Sequence, residues 1–305
     1  MRNTAVNKLT EMAESDSSIV ILDGDLGFGV LDGFTEKYPS RSINPGISEQ
    51  NMMGMAAGLA LCGKTPYVYS IGNFPGMRCI EQIRNDVCYH NLNVNILAVG
   101  GGFPYGQLGM SHHATEDLAV MRALPNMRVY APADAGDVIK VVEEVNSIQG
   151  PCYIRLGRGH EPIFETIGER RADINLIRKG TGVAIVTIGP ILNEAVAAAE
   201  KLAEEGIDCT VISIVCLKPF PSERFFELLR EHSAIVTVEE HNVVGGLGST
   251  VADEMVAREC CCRLVKMGLK DCYTSIVGDQ AYLRKFYGIS AEDVEHTVRE
   301  LVPKK

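Results

Sequence analysis

The residues best suited to chemistry lie in the stretch 44–51, which reads Asn-Pro-Gly-Ile-Ser-Glu-Gln-Asn. Pro45 and Gly46 predict a turn, and Ser48 is a typical N-cap for a helix whose first residue is Glu49. The positive end of a helix dipole stabilises a carboxylate at that position, whereas burial and a hydrogen-bonding partner could hold the group protonated instead. The alternative for Glu49 is an ordinary solvated side chain in a first turn.

The helix predicted to follow is made of small and apolar residues, reading Met-Met-Gly-Met-Ala-Ala-Gly-Leu-Ala-Leu-Cys over residues 52–62. Gly54, Ala57, Gly58 and Leu61 recur at helical spacing. They predict a smooth face on which another element packs closely.

Two adjacent histidines, His112 and His113, follow the glycine at position 109. Neighbouring side chains in a loop point apart, and no other cluster of metal-binding residues is near them in sequence, so we predict no metal site in this chain. A single imidazole can instead hydrogen-bond a substrate oxygen and help to move protons. A solvent-exposed loop histidine is the alternative for His112.

The whole chain has 305 residues, of which 46% are apolar and 22% charged, and its formal net charge is −10. This length predicts two domains, and the negative charge argues against nucleic acid or an anionic membrane as the main partner. No apolar run reaches membrane-spanning length, and no signal-peptide core is present, so we expect a cytoplasmic protein. The ten cysteines show no paired metal-ligand spacing and are expected to be reduced thiols.

Short β-rich runs alternate with longer helical patterns, which predicts a doubly wound α/β domain over residues 1–160. The predicted strands are 18–23, 67–71, 94–99, 127–131 and 152–156, and the predicted helices are 2–14, 49–62, 76–90, 115–124 and 134–147. A polar stretch predicts a linker over residues 161–180.

The alternation then restarts and predicts a second, smaller α/β domain over residues 181–305. Its predicted strands are 183–188, 209–214, 234–239 and 272–276, and its predicted helices are 191–205, 222–231, 248–267 and 291–301. A Gly-Gly-Leu-Gly turn at 245–248 precedes one of these helices. It could hold an anion, but a structural turn is favoured.

Four segments, in this order and spacing, resemble the transketolase-like thiamine diphosphate enzymes: residues 44–58, 81–86, 106–133 and 239–249. The resemblance covers nearly the whole chain. The first domain resembles the pyrimidine-binding domain of that family, and the second resembles its C-terminal domain. The resemblance implies two doubly wound α/β domains and a C-terminal subunit of a split transketolase.

The resemblance implies cofactor contacts for four residues. Glu49 matches a glutamate that hydrogen-bonds a ring nitrogen of the cofactor's aminopyrimidine. By moving a proton to and from that nitrogen, the carboxyl group helps the cofactor to lose a proton from carbon. Phe74 matches an aromatic residue that stacks on the same ring, and an ordinary core Phe is its alternative. Ile71 replaces a second aromatic residue, and Asp25 matches an active-site Asp.

The resemblance also implies substrate contacts. His112 matches a histidine that touches the substrate near the reacting carbons. Arg2 and Arg158 match two arginines that bind the phosphate of sugar phosphates, a role that suits the guanidinium fork. For Arg2 the alternative is a solvated side chain near the N-terminus.

Three positions depart from the family pattern. Leu108 replaces an Asp that contacts a donor-sugar hydroxyl, Gly100 replaces a His near the same hydroxyls, and Gly29 replaces a phosphate-binding Ser. A polar contact that is missing from a site indicates a substrate that lacks the matching group. We therefore expect the chemistry to be retained and the donor to be a modified or deoxy ketose.

The diphosphate half of the family's site is missing. Full-length transketolases hold Mg²⁺ on the cofactor's diphosphate with a Gly-Asp-Gly motif and a downstream Asn, and residues 23–25 (Asp-Gly-Asp) lack that Asn-containing loop. The resemblance thus implies an N-terminal partner subunit that carries the motif, and a homodimeric contact of this chain that gives a heterotetramer. Two alternatives stay open: a beta subunit of a 2-oxo-acid dehydrogenase or a deoxyxylulose-phosphate-synthase-like ligase with a pyruvate-like donor, and a non-catalytic assembly subunit.

Overall fold

The structure, a computed structural model, describes residues 1–302. In these residues twelve strands form two sheets. The strands are β1 Ile19–Asp23, β2 Ser42–Ile43, β3 Thr65–Ile71, β4 Asn95–Val99, β5 Arg128–Tyr130, β6 Cys152–Leu156, β7 Ile174–Arg178, β8 Gly182–Ile188, β9 Thr210–Ile214, β10 Cys216–Lys218, β11 His232–Asn242 and β12 Arg263–Leu269.

Helices connect the strands and cover both faces of the sheets. They are α1 Arg2–Met12, α2 Asp32–Lys37, α3 Glu49–Leu61, α4 Ile80–Gln82, α5 Asp117–Ala123, α6 Ala135–Ser147, α7 Leu192–Glu204, α8 Ser222–Leu228, α9 Leu247–Ala257, α10 Gln280–Phe286 and α11 Ala291–Leu301. Short 3₁₀ turns lie at Pro39–Arg41, Met77–Cys79, Gly106–Leu108, Met110–His112 and Gly189–Ile191, and one π-helical turn at Ile83–Cys88.

The first sheet has the order β10-β5-β6-β4-β3-β1-β2 and is parallel except for β10. Its central strands β4 and β6 are buried along their whole length, because helices cover both faces and leave no solvated side. The chain passes from β1 to β2 at one edge and then returns to β3 on the other side of β1. The direction of winding therefore reverses between β1 and β3.

The second sheet has the order β12-β11-β8-β9-β7 and is parallel except for β7. The two sheets with their helices confirm the predicted fold class of two α/β domains. Two connections differ from a simple series. β7 lies inside the predicted linker 161–180, and β10, which follows β9 in the chain, pairs with β5 of the first sheet.

Two predictions in the second domain are wrong. The helix predicted for 248–267 ends at Ala257, and Glu259, with φ of +52°, turns the chain into β12. The run of cysteines at 260–262 contains neither Gly nor Pro, so the sequence gives no clear stop for the helix. The strand predicted for 272–276 is irregular, because Thr274 is held by a side-chain contact to His113 instead of a sheet.

The helix predicted for 76–90 is also interrupted. It begins as a 3₁₀ turn, continues as the single turn α4 and ends as the π-helical turn. The carbonyl of Asn73 accepts hydrogen bonds from the backbone N–H groups of Met77 and Arg78, at 3.0 and 3.2 Å. This tight entry holds the backbone at Arg78 close to Asn73, and π-helical turns often lie at functional sites.

The start of α3 agrees with the prediction in position but not in its cap. Ser48 is the N-cap residue, yet its hydroxyl donates to the Pro45 carbonyl at 2.9 Å and caps no backbone N–H. The smooth face predicted to be packed is open in this chain: Ala57 is buried, whereas Gly54 and Gly58 are exposed and Leu61 is 69% exposed.

The glycine turn at 245–248 is structural, as favoured from the sequence. The carboxylate of Glu239 accepts hydrogen bonds from the backbone N–H groups of Leu247 and Gly248, at 2.7 and 2.8 Å. The N-terminus of α9 therefore binds an anion of the chain itself. Burial raises the pKa of Glu239 to about 7.

A buried polar network joins the two domains. Arg155 donates to the Asp117 carboxylate at 3.0 Å and to the carbonyl of Glu240 at 2.9 Å. The Glu240 carboxylate accepts in turn from Arg284 and Gln280. Because buried charges are costly unless paired, this network fixes how the loops between the sheets are placed. Among residues 1–302 no helix is both long and apolar enough to cross a membrane.

Candidate active site

The predicted cofactor residues meet at the carboxyl edge of the first sheet. Asp25 follows β1, Phe74 follows β3, and Glu49 begins α3, the helix after β2. This is where the direction of winding reverses, and ligands of open α/β sheets bind in the crevice at such a point.

Glu49 is buried, with 2% of its side chain exposed. One carboxylate oxygen, Oε2, accepts a hydrogen bond from Arg78 at 2.7 Å. The other, Oε1, is buried and has no hydrogen-bond partner in the described part of the chain. A buried carboxylate oxygen without a partner is costly, so this atom is ready for a donor that the chain does not supply. Burial, and to a smaller extent the same carboxylate, raise the pKa of the Cys79 thiol to about 12.

The ring of Phe74 lies beside Glu49's partner and beside His112. The guanidinium carbon of Arg78 is 4.6 Å from the centroid of the Phe74 ring. The His112 and Phe74 ring centroids are 5.2 Å apart in an edge-to-face arrangement. Asn73 holds the two loops together, since its amide donates to the carbonyls of Ser111 and His113 at 3.2 and 2.9 Å. The structure thus brings together Glu49, Phe74 and His112.

The two adjacent histidines have different surroundings. His112 is half-buried, and burial together with the neighbouring His113 lowers its pKa, so it is neutral at pH 7 and can accept or donate a hydrogen bond. His113 is buried and contacts the Thr274 hydroxyl at 2.6 Å and the Gly106 carbonyl at 3.0 Å. His113 therefore fixes the loop, while His112 remains available to a ligand.

Asp25 and Ile71 lie at the carboxyl ends of the neighbouring strands β1 and β3. Asp25 has a φ of +61° and accepts a hydrogen bond from the Asn44 amide at 2.9 Å. The side-chain carbonyl oxygen of Asn44 accepts from the Gly46 backbone N–H at 2.8 Å, which ties the loop after β1 to the turn before α3. Ile71 ends β3, and its carbonyl accepts from the Phe74 N–H at 2.8 Å, so it shapes the turn that presents the ring.

Two of the predicted substrate residues form a second group between the domains. Arg2 and Arg158 line a cleft of about 500 Å³ together with His160, Asn193 and Arg284. Arg284 is paired with Glu240 and Glu194. In residues 1–302 neither Arg2 nor Arg158 forms an ion pair with a carboxylate, which leaves two guanidinium groups for an anion.

The departures from the family pattern have visible consequences. Gly100 has a φ of +84°, and a Cβ on it would collide with the ring of Tyr105, so Tyr105 fills the space that a larger residue would need. The Arg158 guanidinium lies 5.2 Å from the same ring. Leu108 is 56% exposed and lines a cleft of about 300 Å³ with Tyr105 and Arg158. Gly29 lies exposed in the loop after β1, with no heavy atom within 4 Å of an added Cβ.

Three residues of this site were not predicted from the sequence. Arg78 follows Phe74 by four residues, Asn73 directly precedes it, and Tyr105 follows the glycines at 100–102. The short spacing of Phe74 and Arg78 across one turn could have indicated a contact. No sequence pattern indicates that Tyr105 folds back over Gly100.

Comparison with known proteins identifies the family of this chain. The model of the transketolase pyrimidine binding domain matches residues 1–162, and that of the transketolase C-terminal domain matches residues 172–294. A subunit of the apulose-4-phosphate transketolase of Actinobacillus succinogenes is 35% identical, over 86% of this chain and 85% of that protein. A subunit of 6-deoxy-6-sulfo-D-fructose transketolase from Clostridium sp. is 34% identical, over 100% of this chain and 95% of that protein.

Solved structures show the same fold. A split-gene transketolase, described as an inactive beta4 tetramer, has a TM-score of 0.89 and 39% identity, and the match covers 98% of this chain and 97% of that chain. The transketolase of Campylobacter jejuni has a TM-score of 0.79 at 19% identity, and this chain spans 46% of it. The chain therefore belongs to the transketolase family. Within it, the chain corresponds to the C-terminal, pyrimidine-binding subunit of split transketolases.

Proposed function

We propose that this chain supplies the pyrimidine half of the active site of a thiamine diphosphate-dependent transketolase, and that a partner chain supplies the half that holds Mg²⁺ and the diphosphate. The enzyme transfers a two-carbon ketol unit between sugar substrates. The observation that carries the proposal is the buried carboxylate of Glu49, whose Oε1 has no partner in the described chain and whose Oε2 is joined through Arg78 to the ring of Phe74.

The residues present fit an aminopyrimidine. Glu49 offers an acceptor at the bottom of the crevice for a ring nitrogen that carries a proton, and Phe74 offers a flat face for stacking. When bound, thiamine diphosphate supplies a carbon nucleophile that cleaves and forms carbon–carbon bonds beside a carbonyl. Glu49 holds or moves the proton at the ring nitrogen, and neutral His112 binds a substrate oxygen near the reacting carbons.

The donor is proposed to be a ketose that carries an anionic group. Arg2 and Arg158 provide two guanidinium groups in one cleft that form no ion pair with a carboxylate of residues 1–302, which suits a phosphate or a sulfonate. Two relatives are named for apulose 4-phosphate and for 6-deoxy-6-sulfo-D-fructose, and both names denote a sugar with an anionic group. Leu108 and Tyr105 beside Arg158 favour a donor with fewer hydroxyl groups at that position.

The proposal is tested by titration of thiamine diphosphate into the complex of this chain with its partner in the presence of Mg²⁺, followed by calorimetry. We expect Glu49→Ala to lose most of the affinity for thiamine diphosphate. Glu81→Ala removes an exposed carboxylate three residues after Arg78, and this variant should bind like the parent. Equal binding by the Glu49→Ala complex would instead favour a non-catalytic assembly subunit.

Substrate choice gives a second test. Leu108→Asp is expected to raise kcat/KM for xylulose phosphate relative to a deoxy analogue, because it restores a polar contact for a donor hydroxyl. One such contact is worth about 1–3 kcal/mol when buried, and the 56% exposure of Leu108 places the gain near the lower figure. Met110→Asp puts the same charge two residues further along the loop and serves as the control. A strong preference of the unchanged enzyme for xylulose phosphate would contradict the altered-donor hypothesis.

Self-association is proposed to use the open face of α3. Relatives are named as transketolase subunits, and the split-gene structure is described as a beta4 tetramer. Beyond the backbone of α3 itself, a Cβ on Gly54 or Gly58 would meet no heavy atom of residues 1–302 within 4 Å, so packing against the described part of the chain does not explain these glycines. A second copy seated on this face would explain them, since small residues allow two helices to approach closely.

Gly54→Arg is therefore expected to weaken self-association without unfolding the chain. Arg is a better helix former than Gly by up to about 1 kcal/mol, so the isolated fold should be retained or slightly stabilised. Sedimentation velocity measures the shift toward the monomer. Gly33→Arg, in α2 with equally open surroundings, is the matched control. Unchanged association of the Gly54→Arg chain would place the contact elsewhere.

A further inference from the structure

The pyrimidine site already contains a group of the chain that makes ligand-like contacts. The guanidinium of Arg78 donates from its edge to Glu49 Oε2 at 2.7 Å, and its central carbon lies 4.6 Å from the centroid of the Phe74 ring. A guanidinium is planar, with N–H donors around its edge and a face that stacks on aromatic rings. Arg78 thus uses Glu49 as an acceptor and Phe74 as a stacking surface at the same time.

These are the two residues assigned above to the aminopyrimidine, although Arg78 contacts Oε2 of Glu49 and leaves Oε1 without a partner in the described chain. We propose that Arg78 is a displaceable occupant of the pyrimidine site, which holds Glu49 and covers Phe74 in the free subunit and leaves both when the cofactor binds. The inference rests on the proposed function and adds to it a residue that competes with the cofactor. The flat shape and edge donors that suit Arg78 to this place are those that an aminopyrimidine also presents.

Access to Glu49 explains why Arg78 has to move. The Glu49 side chain is 2% exposed and its Oε1 is sealed from solvent, whereas the Arg78 side chain is 47% exposed. Arg78, the partner on Oε2, is therefore the more accessible member of this pair. A ring that stacks on Phe74 and reaches Glu49 from the crevice has to enter the space that Arg78 fills, because two groups cannot share one contact surface.

The guanidinium is held weakly enough to leave. Its hydrogen bond to Glu49 is the one that the side chain makes within residues 1–302, and nearly half of the side chain faces water. Ion pairs with an exposed partner contribute little to stability, and solvent can replace them. Glu49 in contrast is buried and needs a partner in either state, first Arg78 and then the cofactor.

The role predicts two effects of opposite sign. Arg78→Met keeps the length of the side chain and removes its charge and planar face. The free chain should become less stable, because Glu49 loses its partner, while the complex should bind thiamine diphosphate more tightly, because nothing has to be displaced. If Arg78 had only a structural role, Arg78→Met would lower both the stability of the chain and its affinity for thiamine diphosphate. If Arg78 stayed in place and contacted the cofactor, Arg78→Met would also lower the affinity.

Stability is tested on the full chain without cofactor or partner. Arg78→Met, Glu49→Gln and the double variant form a cycle of thermal unfolding measurements. Arg78→Met should lower the Tm by a few degrees in the parent and by less when Glu49 is already Gln, since the ion pair is then absent. Arg84→Met removes an exposed arginine six residues away and controls for the change of charge. Independent effects in the cycle would overturn the pairing of Arg78 with Glu49.

Affinity is tested on the complex with the partner chain and Mg²⁺, with thiamine diphosphate as the titrant in calorimetry. We expect Arg78→Met to lower the Kd by about three- to tenfold, as expected for loss of one partly exposed ion pair, and Arg78→Lys to lie between it and the parent. An unchanged or raised Kd for Arg78→Met would overturn the inference. Failure of every complex to bind, with the stability coupling intact, would overturn the proposed function and the competing role with it.

Discussion

Replacing Glu49 by Gln is expected to slow proton exchange at the thiazolium carbon of bound thiamine diphosphate by about 10²–10⁴-fold, the usual contribution of one general acid–base group. Gln has nearly the same volume and can still hydrogen-bond the ring, but it cannot move a proton. The fold should be retained, because the change affects one side chain in the first turn of α3. NMR of the reconstituted complex, with deuterium exchange at that carbon, measures the effect.

Two folding measurements and one control variant accompany this experiment. Circular dichroism and the Tm of the variant separate a slow but folded site from a damaged one, and Glu81→Gln gives the same chemical change at an exposed position. Exchange at the parent rate in the Glu49→Gln complex would remove Glu49 from the proton transfer and leave it a structural role.

The second large effect concerns the partner. The purified chain is expected to show no turnover of ketose phosphates and only weak binding of thiamine diphosphate, because the residues described here supply a carboxylate and an aromatic face for the pyrimidine. Within residues 1–302 no group of three or more His, Cys, Asp and Glu residues is arranged to hold a metal ion. Activity should appear when a chain with the Gly-Asp-Gly motif and Mg²⁺ are added together.

The experiment reconstitutes the enzyme from its two chains and Mg²⁺ and leaves out these components in turn. Each chain alone, both chains without Mg²⁺, and both chains with Mg²⁺ are assayed with one coupled assay for the aldose product. Full activity of this chain by itself would refute the split arrangement. A complex that forms but stays inactive with several ketoses, while it still binds thiamine diphosphate, would point to a donor outside the ketose class, such as a pyruvate-like acid.

Elements that depend on local interactions were predicted correctly from the sequence, whereas an element that depends on a partner distant in sequence was not. The strands at 152–156 and 183–188 were predicted within one residue, because buried parallel strands are continuous apolar runs that the sequence itself displays. Residues 248–267 were predicted as one helix, and there the structure has α9, a turn and β12. No Gly or Pro marks that change, and β12 forms because β11 offers a partner strand, which is a long-range interaction.

For the site, the sequence by itself determined the residue types and their order along the chain: an acid at the start of a small-residue helix, an aromatic residue after a strand, and a histidine in a glycine-flanked loop. Those are local features, set by turn and helix chemistry. Only the tertiary structure decided that Arg78 reaches Glu49 across 29 residues and that Tyr105 takes the space above Gly100. It also separated His112 from His113, because burial and hydrogen-bond partners depend on elements that are distant in sequence and meet only when the sheets and their loops have packed.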